Sequence, residues 1–177
     1  MRTQLYIDGE LRTVDIEGGR ITTVNEEPKE VEIKTGWERV NVGEPYFTLT
    51  QYKPHEQGED NDANDQKMYD SANYFSDGKI AADVFRAQTI WRKLMRWQAE
   101  NDKPVYWGND GIESQHFSIY CDHFTEQLTV ANQCYSQDAF NVYFSTEKVA
   151  YRALEIFYDD LLWLFTEFKY RLGGGAE

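Results

Sequence analysis

Cysteine is scarce in this chain: Cys121 and Cys134 are the only two. Two thiols cannot build a disulfide framework, so burial alone has to hold the fold. Long apolar runs are also missing. The longest unbroken one, Leu161 to Phe165, is far short of the ~20 residues that a membrane span needs. The first residues do not read as a secretory signal, so the expected setting is a reducing cytoplasm. Bases are in deficit, with 18 Lys and Arg against 31 Asp and Glu, net −13. Such a field repels phosphates and attracts basic surfaces, so direct DNA binding is not expected. Phosphate-cradling, dinucleotide-binding and G-x-S-x-G patterns are absent too, and the chain offers no motif for an enzyme.

Aromatic residues are abundant: 5 Trp, 12 Tyr and 10 Phe in 177 residues. A chain of that length buries roughly 70% of its unfolded surface. One stretch then recurs. NYFSDGKIAADVFRAQTIWRKLMRWQ, from Asn73 to Gln98, returns as VYFSTEKVAYRALEIFYDDLLWLFTE, from Val142 to Glu167. Tyr74, Phe75, Ser76, Lys79 and Ala81 fall on Tyr143, Phe144, Ser145, Lys148 and Ala150. Each copy reads as a strand end, a serine cap and a long helix, with Ser76 and Ser145 as N-caps.

The rest of the chain fits round those copies. Residues 1–25 alternate like strands about Asp8-Gly9 and Gly18-Gly19, a small β-meander that needs other surface to lean on. A polar connector follows, then a short strand at Val31 to Lys34. Tyr46 to Thr50 is β-branched and aromatic, a good strand. Lys53 to Asp70 is the most polar segment and, with Pro54 and Gly58, is expected to be a long exposed loop. A helix is expected from Gly78 to Glu100, with Ile80, Val84, Ala87, Trp91 and Leu94 inward and Arg86, Arg92, Lys93 and Arg96 outward. Val105 to Trp107 suggests a strand, and Ser114 to Tyr135 a hairpin around Thr125-Glu126. The second helix, from Glu147 to about Tyr170, is apolar nearly all round and is expected to be buried on several sides. The fold class is α+β: two strand-or-hairpin, loop and long-helix repeats forming one core, plus the meander. Expected divisions are 1–34, 35–105 and 106–177.

Candidate sites are few. Asp60, Asp62, Asn64 and Asp65 begin like a calcium loop, but the expected Gly and closing acid are replaced by Asp65 and Ser71, so no metal is expected. His116, Cys121, His123 and Cys134 lack zinc spacing, and nothing orients Cys121 against either His as a nucleophilic pair. Asp159 and Asp160 read as partners for the basic stripe of the first helix. No cofactor is implied. Glu56, Glu59, Asp60, Asp62 and Asp65 form an acidic stretch. It reads either as a solvated loop or as a row of carboxylates that imitates phosphates before a basic partner.

The segments TGWERV, GEPYFTL, NYFSD and VYFS, with EIFYDDLLWLFTEFKYRL, resemble a family of small proteins from phages and prophages of Firmicutes. The resemblance runs from about Thr35 to Leu172. Some phage proteins of this type are anti-CRISPR proteins acting on type II effector nucleases. The resemblance thus implies a phage protein in a bacterial host cytoplasm; the chain is expected to be a monomer or a homodimer. Its partner would be a type II CRISPR effector with its guide RNA, met through the acidic stretch. The alternatives are a self-associating phage structural or assembly protein, and a phage nucleic-acid binder using the basic stripe.

Overall fold

The computed structural model describes residues 2–7, 10–17, 20–23, 35–107, 116–122, 124–132, 137–138 and 141–168. The chain divides into two compact units, Met1–Thr35 and Gly36–Glu177. In the first, β1 (Arg2–Ile7), β2 (Glu10–Glu17) and β3 (Arg20–Thr23) form an antiparallel sheet in the order β1-β2-β3. Ile7 lies opposite Glu10, and Glu17 opposite Arg20, as expected of a meander reversing at Asp8-Gly9 and Gly18-Gly19. The expected strand at 31–34 lies outside the described residues.

The second unit contains the repeat, and the class is α+β. In its first half β4 (Pro45–Leu49) pairs antiparallel with β5 (Pro54–Gly58), followed by α1 (Ala63–Asp70) and α2 (Gly78–Asn101). In its second half β6 (Phe117–Asp122) pairs with β7 (Gln127–Asn132) on one edge and β8 (Tyr143–Phe144) on the other, and α3 (Glu147–Thr166) follows. The repeated Tyr-Phe-Ser does the same job twice. Phe75 bridges Phe47 beside β4, and Phe144 pairs with Phe117 of β6.

Several expectations are corrected. The Lys53–Asp70 segment is not one long loop, because it holds β5 and α1. Pro54 begins its strand opposite Leu49, and Gly58 ends it opposite Pro45; proline and glycine are tolerated at strand ends. The Asp-rich run is a helix start: Asp62 accepts from the N–H groups of Asn64 and Asp65, and the Asp65 carboxylate reaches back to the N–H of Asp62. That reciprocal pair is a capping box. The serines do not cap. Asp77 caps α2 and Thr146 caps α3, each one residue nearer its helix. The serines are instead held by acids: Ser76 Oγ donates to Glu38 (3.1 Å), and Ser145 donates its N–H (2.7 Å) and its hydroxyl to Asp102. Val105–Trp107 forms no strand; β7 and β8 already occupy the two edges of β6.

The core has two clusters. Phe75, Ile80 and Ala81, with Trp37, Phe47, Leu49 and Val84, make the smaller one. Ile90 and Leu94 join Ile119, Leu128, Phe144, Ala150, Ala153, Leu154 and Leu161 in the larger. The 24 residues of α2 reach about 36 Å, enough for its first turns to serve one cluster and its later turns the other. α3 packs on β6, β7, β8 and α2. It is less enclosed than expected: Tyr151, Ile156 and Tyr158 are exposed. Its backbone departs from helix at Phe157 (φ −106°, ψ 15°) and it ends at Thr166. A helix with one sheet and one helix as neighbours keeps a solvent face, whatever residues lie on it.

Gly36 separates conformational strain from crowding. Gly36 and Gly43 both have positive φ, 84° and 88°. A Cβ on Gly36 would overlap the Ile80 side chain, whereas one on Gly43 meets nothing within 4 Å. Gly43→Ala should cost about 1 kcal/mol, the left-handed penalty alone. Gly36→Ala should cost about 3 kcal/mol, because overpacking adds to that penalty. Urea unfolding of the two variants measures the difference.

Candidate functional site

Strand alternation puts Phe47 and Phe75 on one face and their neighbours Tyr46 and Tyr74 on the other. The phenylalanines enter the smaller apolar cluster. The two tyrosines stack, with centroids 4.1 Å apart and planes 10° from parallel. Each hydroxyl donates to a carboxylate at 2.7 Å: Tyr46 to Asp65 and Tyr74 to Glu59. Asp65 comes from the first turn of α1, and Glu59 directly follows β5.

Arg39 completes the arrangement. Its guanidinium donates to Glu59 at 2.9 and 3.3 Å, to Gln66 at 2.7 Å and to Asn61 at 3.3 Å, and it lies 5.9 Å from the Tyr69 ring centroid. Tyr69 in turn meets Tyr74 edge-on at 5.5 Å. Glu59 and Asp65 are 1% and 3% exposed, yet every buried side-chain nitrogen and oxygen among the described residues has a partner. Two buried carboxylates are tolerable only on such terms.

Each group is driven away from neutral-pH titration. The Arg39 bond holds Glu59 below the usual carboxylate range against the opposing effect of burial. The Tyr46 hydroxyl, helped by the N–H groups of Asp60 and Asp62, does the same for Asp65. Burial, reinforced by the Glu59 bond, pushes the Tyr74 phenol up to about 12, and burial with the Asp65 bond raises Tyr46 as well. A set with fixed protonation near neutrality is poorly matched to general acid–base work. It is a clamp that joins the 36–44 segment, the β4–β5 hairpin and α1.

The clamp divides the five acids singled out by sequence. Glu59 and Asp65 are corrected from exposed to buried, because the clamp uses both. Glu56, Asp60 and Asp62 remain exposed. The buried pair organises the outer ones. Asp65 accepts from the N–H groups of Asp60 (2.8 Å) and Asp62 (3.2 Å), and Glu59 from that of Asn61 (3.0 Å). The result is a rigid acidic ledge at residues 59–62. Asp62 is also committed as a helix cap.

The other candidates separate. His116 and Cys121 are both buried but lie an odd number of residues apart in sequence, on opposite faces of the strand direction. His116 packs under Trp107 at 4.0 Å, and Cys121 enters the larger core. His123 and Cys134 lie outside the described residues. Among the described residues no group of three His, Cys, Asp or Glu is arranged for a metal ion, and no helix is long and apolar enough to cross a membrane. Asp160 meets the basic stripe as expected, 3.6 Å from Arg86, which also lies 3.9 Å over the Trp163 ring. Arg92, Lys93 and Arg96 are exposed.

Sequence reasoning missed Arg39, Tyr46 and Tyr74 as one group. A signal was present upstream of the repeat. Trp37, Phe47 and Thr48 recur as Trp107, Phe117 and Ser118 at constant spacing, although Trp37 packs on Phe75 whereas Trp107 packs on Tyr143, the counterpart of Tyr74. Compared with known proteins, the chain matches no family model, no curated protein and no solved structure.

The clamp sets the pH response. Glu59 and Asp65 have folded pKa values below their unfolded ones. Their stabilisation is therefore present above about pH 4–5 and is lost as pH falls through the folded values. Tyr46 and Tyr74 have raised values, so stability also falls as pH rises above about 10. Arg39→Met, which strands Glu59, should cost about 3 kcal/mol at pH 7. It should also flatten the acid limb, because Glu59 loses its stabilising partner. Chemical denaturation from pH 3 to 8 measures both effects.

Proposed function

We propose that this chain is a phage-encoded inhibitor of a host type II CRISPR effector nuclease–guide RNA complex. It binds the effector through its acidic ledge and keeps target DNA from being bound or cut. One observation supports this above others: the exposed carboxylates of Asp60 and Asp62 stand on backbone held by the buried carboxylates of Glu59 and Asp65. A loop already fixed loses little freedom on binding, so its charge is well used. The net charge of −13 and the resemblance of the Tyr-Phe-Ser segments to phage proteins agree with this reading. An effector that holds a heteroduplex in a positive channel and reads its short duplex motif with arginines presents the complementary surface. Electrostatic steering toward that surface speeds encounter.

The test is a DNA-cleavage assay with guide-loaded type II nucleases at low and high salt. The wild-type chain should inhibit cleavage, less so as salt rises. Glu56→Lys with Asp60→Lys should weaken inhibition about tenfold at low salt while leaving the melting temperature unchanged. Asp62 stays intact in that variant because it caps α1. Equal potency of variant and wild type at every salt would remove the ledge from the mechanism.

A further inference from the structure

Proteins guard an open sheet edge with proline, charge, a bulge or a very short strand. In the second unit β8 is only two residues long, and β5 begins with Pro54 and carries the exposed Glu56. β7 has none of these devices. Its six residues, QLTVAN, include no charge and no proline. Its pairing with β6 runs unbroken from Gln127 opposite Asp122 to Asn132 opposite Phe117, so no bulge bends it away. β7 is the last strand of its sheet, and among the described residues no backbone hydrogen bond reaches its outer side.

An apolar flank rises over that edge. Leu128 and Val130 face the core that α3 covers. α2 lies toward the other edge of the sheet: its Trp97 meets Phe144 of β8 at 6.3 Å and Phe157 of α3 at 6.4 Å, and its Arg86 reaches Asp160. The flank of α3 turned away from α2 is therefore the one toward β7. Helix spacing puts Tyr151, Tyr158 and Leu162 there, roughly half a turn round from Asp160. Tyr151 is 47% and Tyr158 45% exposed, and Leu162 is half-buried. Arg152, Glu155 and Asp159 border them toward solvent, all exposed and none ion-paired among the described residues.

We infer that the outer edge of β7 is the contact through which two copies of this chain associate. The two strands pair antiparallel about a twofold axis and join two three-stranded sheets into one of six strands. The Tyr151–Tyr158 flanks of the two α3 helices meet above the seam. An extended peptide would satisfy the bare backbone but leave the tyrosines uncovered. Covering edge and flank together takes a partner with a helix seated on its edge strand at the same height, and a second copy has that by construction. A twofold contact sets a surface against itself. The uncharged strand brings no like charges together there, and Arg152 of each copy is offered the acids of the other. The inference is independent of the inhibitor reading, which holds for a monomer and a dimer alike.

Sedimentation equilibrium of the full chain should show a dimer with a dissociation constant of about 10 μM or tighter. Amide exchange from Leu128 to Ala131 should slow as concentration rises. Salt should tighten the dimer, because it screens the repulsion between two copies of net charge −13. Thr129→Lys sets like charges opposite or diagonal to each other in the middle of the seam and should weaken association about tenfold. Thr129→Glu should do the same, and an equimolar mixture of the two should restore a dimer. Tyr151→Gln with Tyr158→Gln, at exposed positions that leave melting unchanged, should also weaken it about tenfold. A chain that stays monomeric throughout the micromolar range overturns the inference. So does a dimer whose β7 exchange ignores concentration, that the tyrosine variant leaves intact, or that salt weakens.

Discussion

Everything in the second unit depends on a short backbone exchange made twice. Phe47 and Phe75 bond each other's N–H and carbonyl groups at 2.8 and 2.9 Å, and Phe117 pairs with Phe144 in the same sense. Each exchange closes a long excursion of chain and sets where a helix begins a few residues later. In the first repeat it also sorts side chains: the phenylalanines enter an apolar cluster with Trp37 and Ile80, and Tyr46 and Tyr74 are left facing the other way. The polar clamp could not assemble without that sorting, because strand alternation alone places the two hydroxyls near the acids that receive them.

The clamp shows how buried charge shapes a surface. Asp65 closes a capping box, accepts a tyrosine hydroxyl and holds two backbone N–H groups of the ledge. Glu59 joins Arg39, Tyr74 and Asn61. Neither presents its charge to solvent, yet both determine where Asp60 and Asp62 present theirs. An acidic run that looks uniform in sequence thus divides into a supporting part and a displayed part.

Acids also join the two repeats. Asp102 ends α2 and accepts both donors of Ser145 just ahead of α3. Near the opposite end of the helix pair, Arg86 lies between Asp160 and the Trp163 ring. With α2 reaching from the smaller apolar cluster to the larger, these polar ties set the pairing of the two long helices. Arg92, Lys93 and Arg96 remain on the outer face of α2 as a local exception to the acidic field.

What the sequence determined by itself was local. The Tyr-Phe-Ser repeat, the α+β class, the start of both long helices and the β6–β7 hairpin follow from periodicity and turn residues, which act over a few positions. The tertiary structure alone decided the burial. Ile90 is in the core while Met95 of the same helix is exposed, and the apolar α3 keeps a solvent face because, among the described residues, it packs on one sheet and one helix. Within the acidic segment, sequence marked the acids but not their division into buried and exposed. Asp65 is drawn inward by Tyr46, 19 positions away, and Glu59 by Arg39, 20 positions away. A carboxylate's burial depends on whether distant donors can reach it. That is a property of the folded neighbourhood, which no local pattern of Asp and Glu contains.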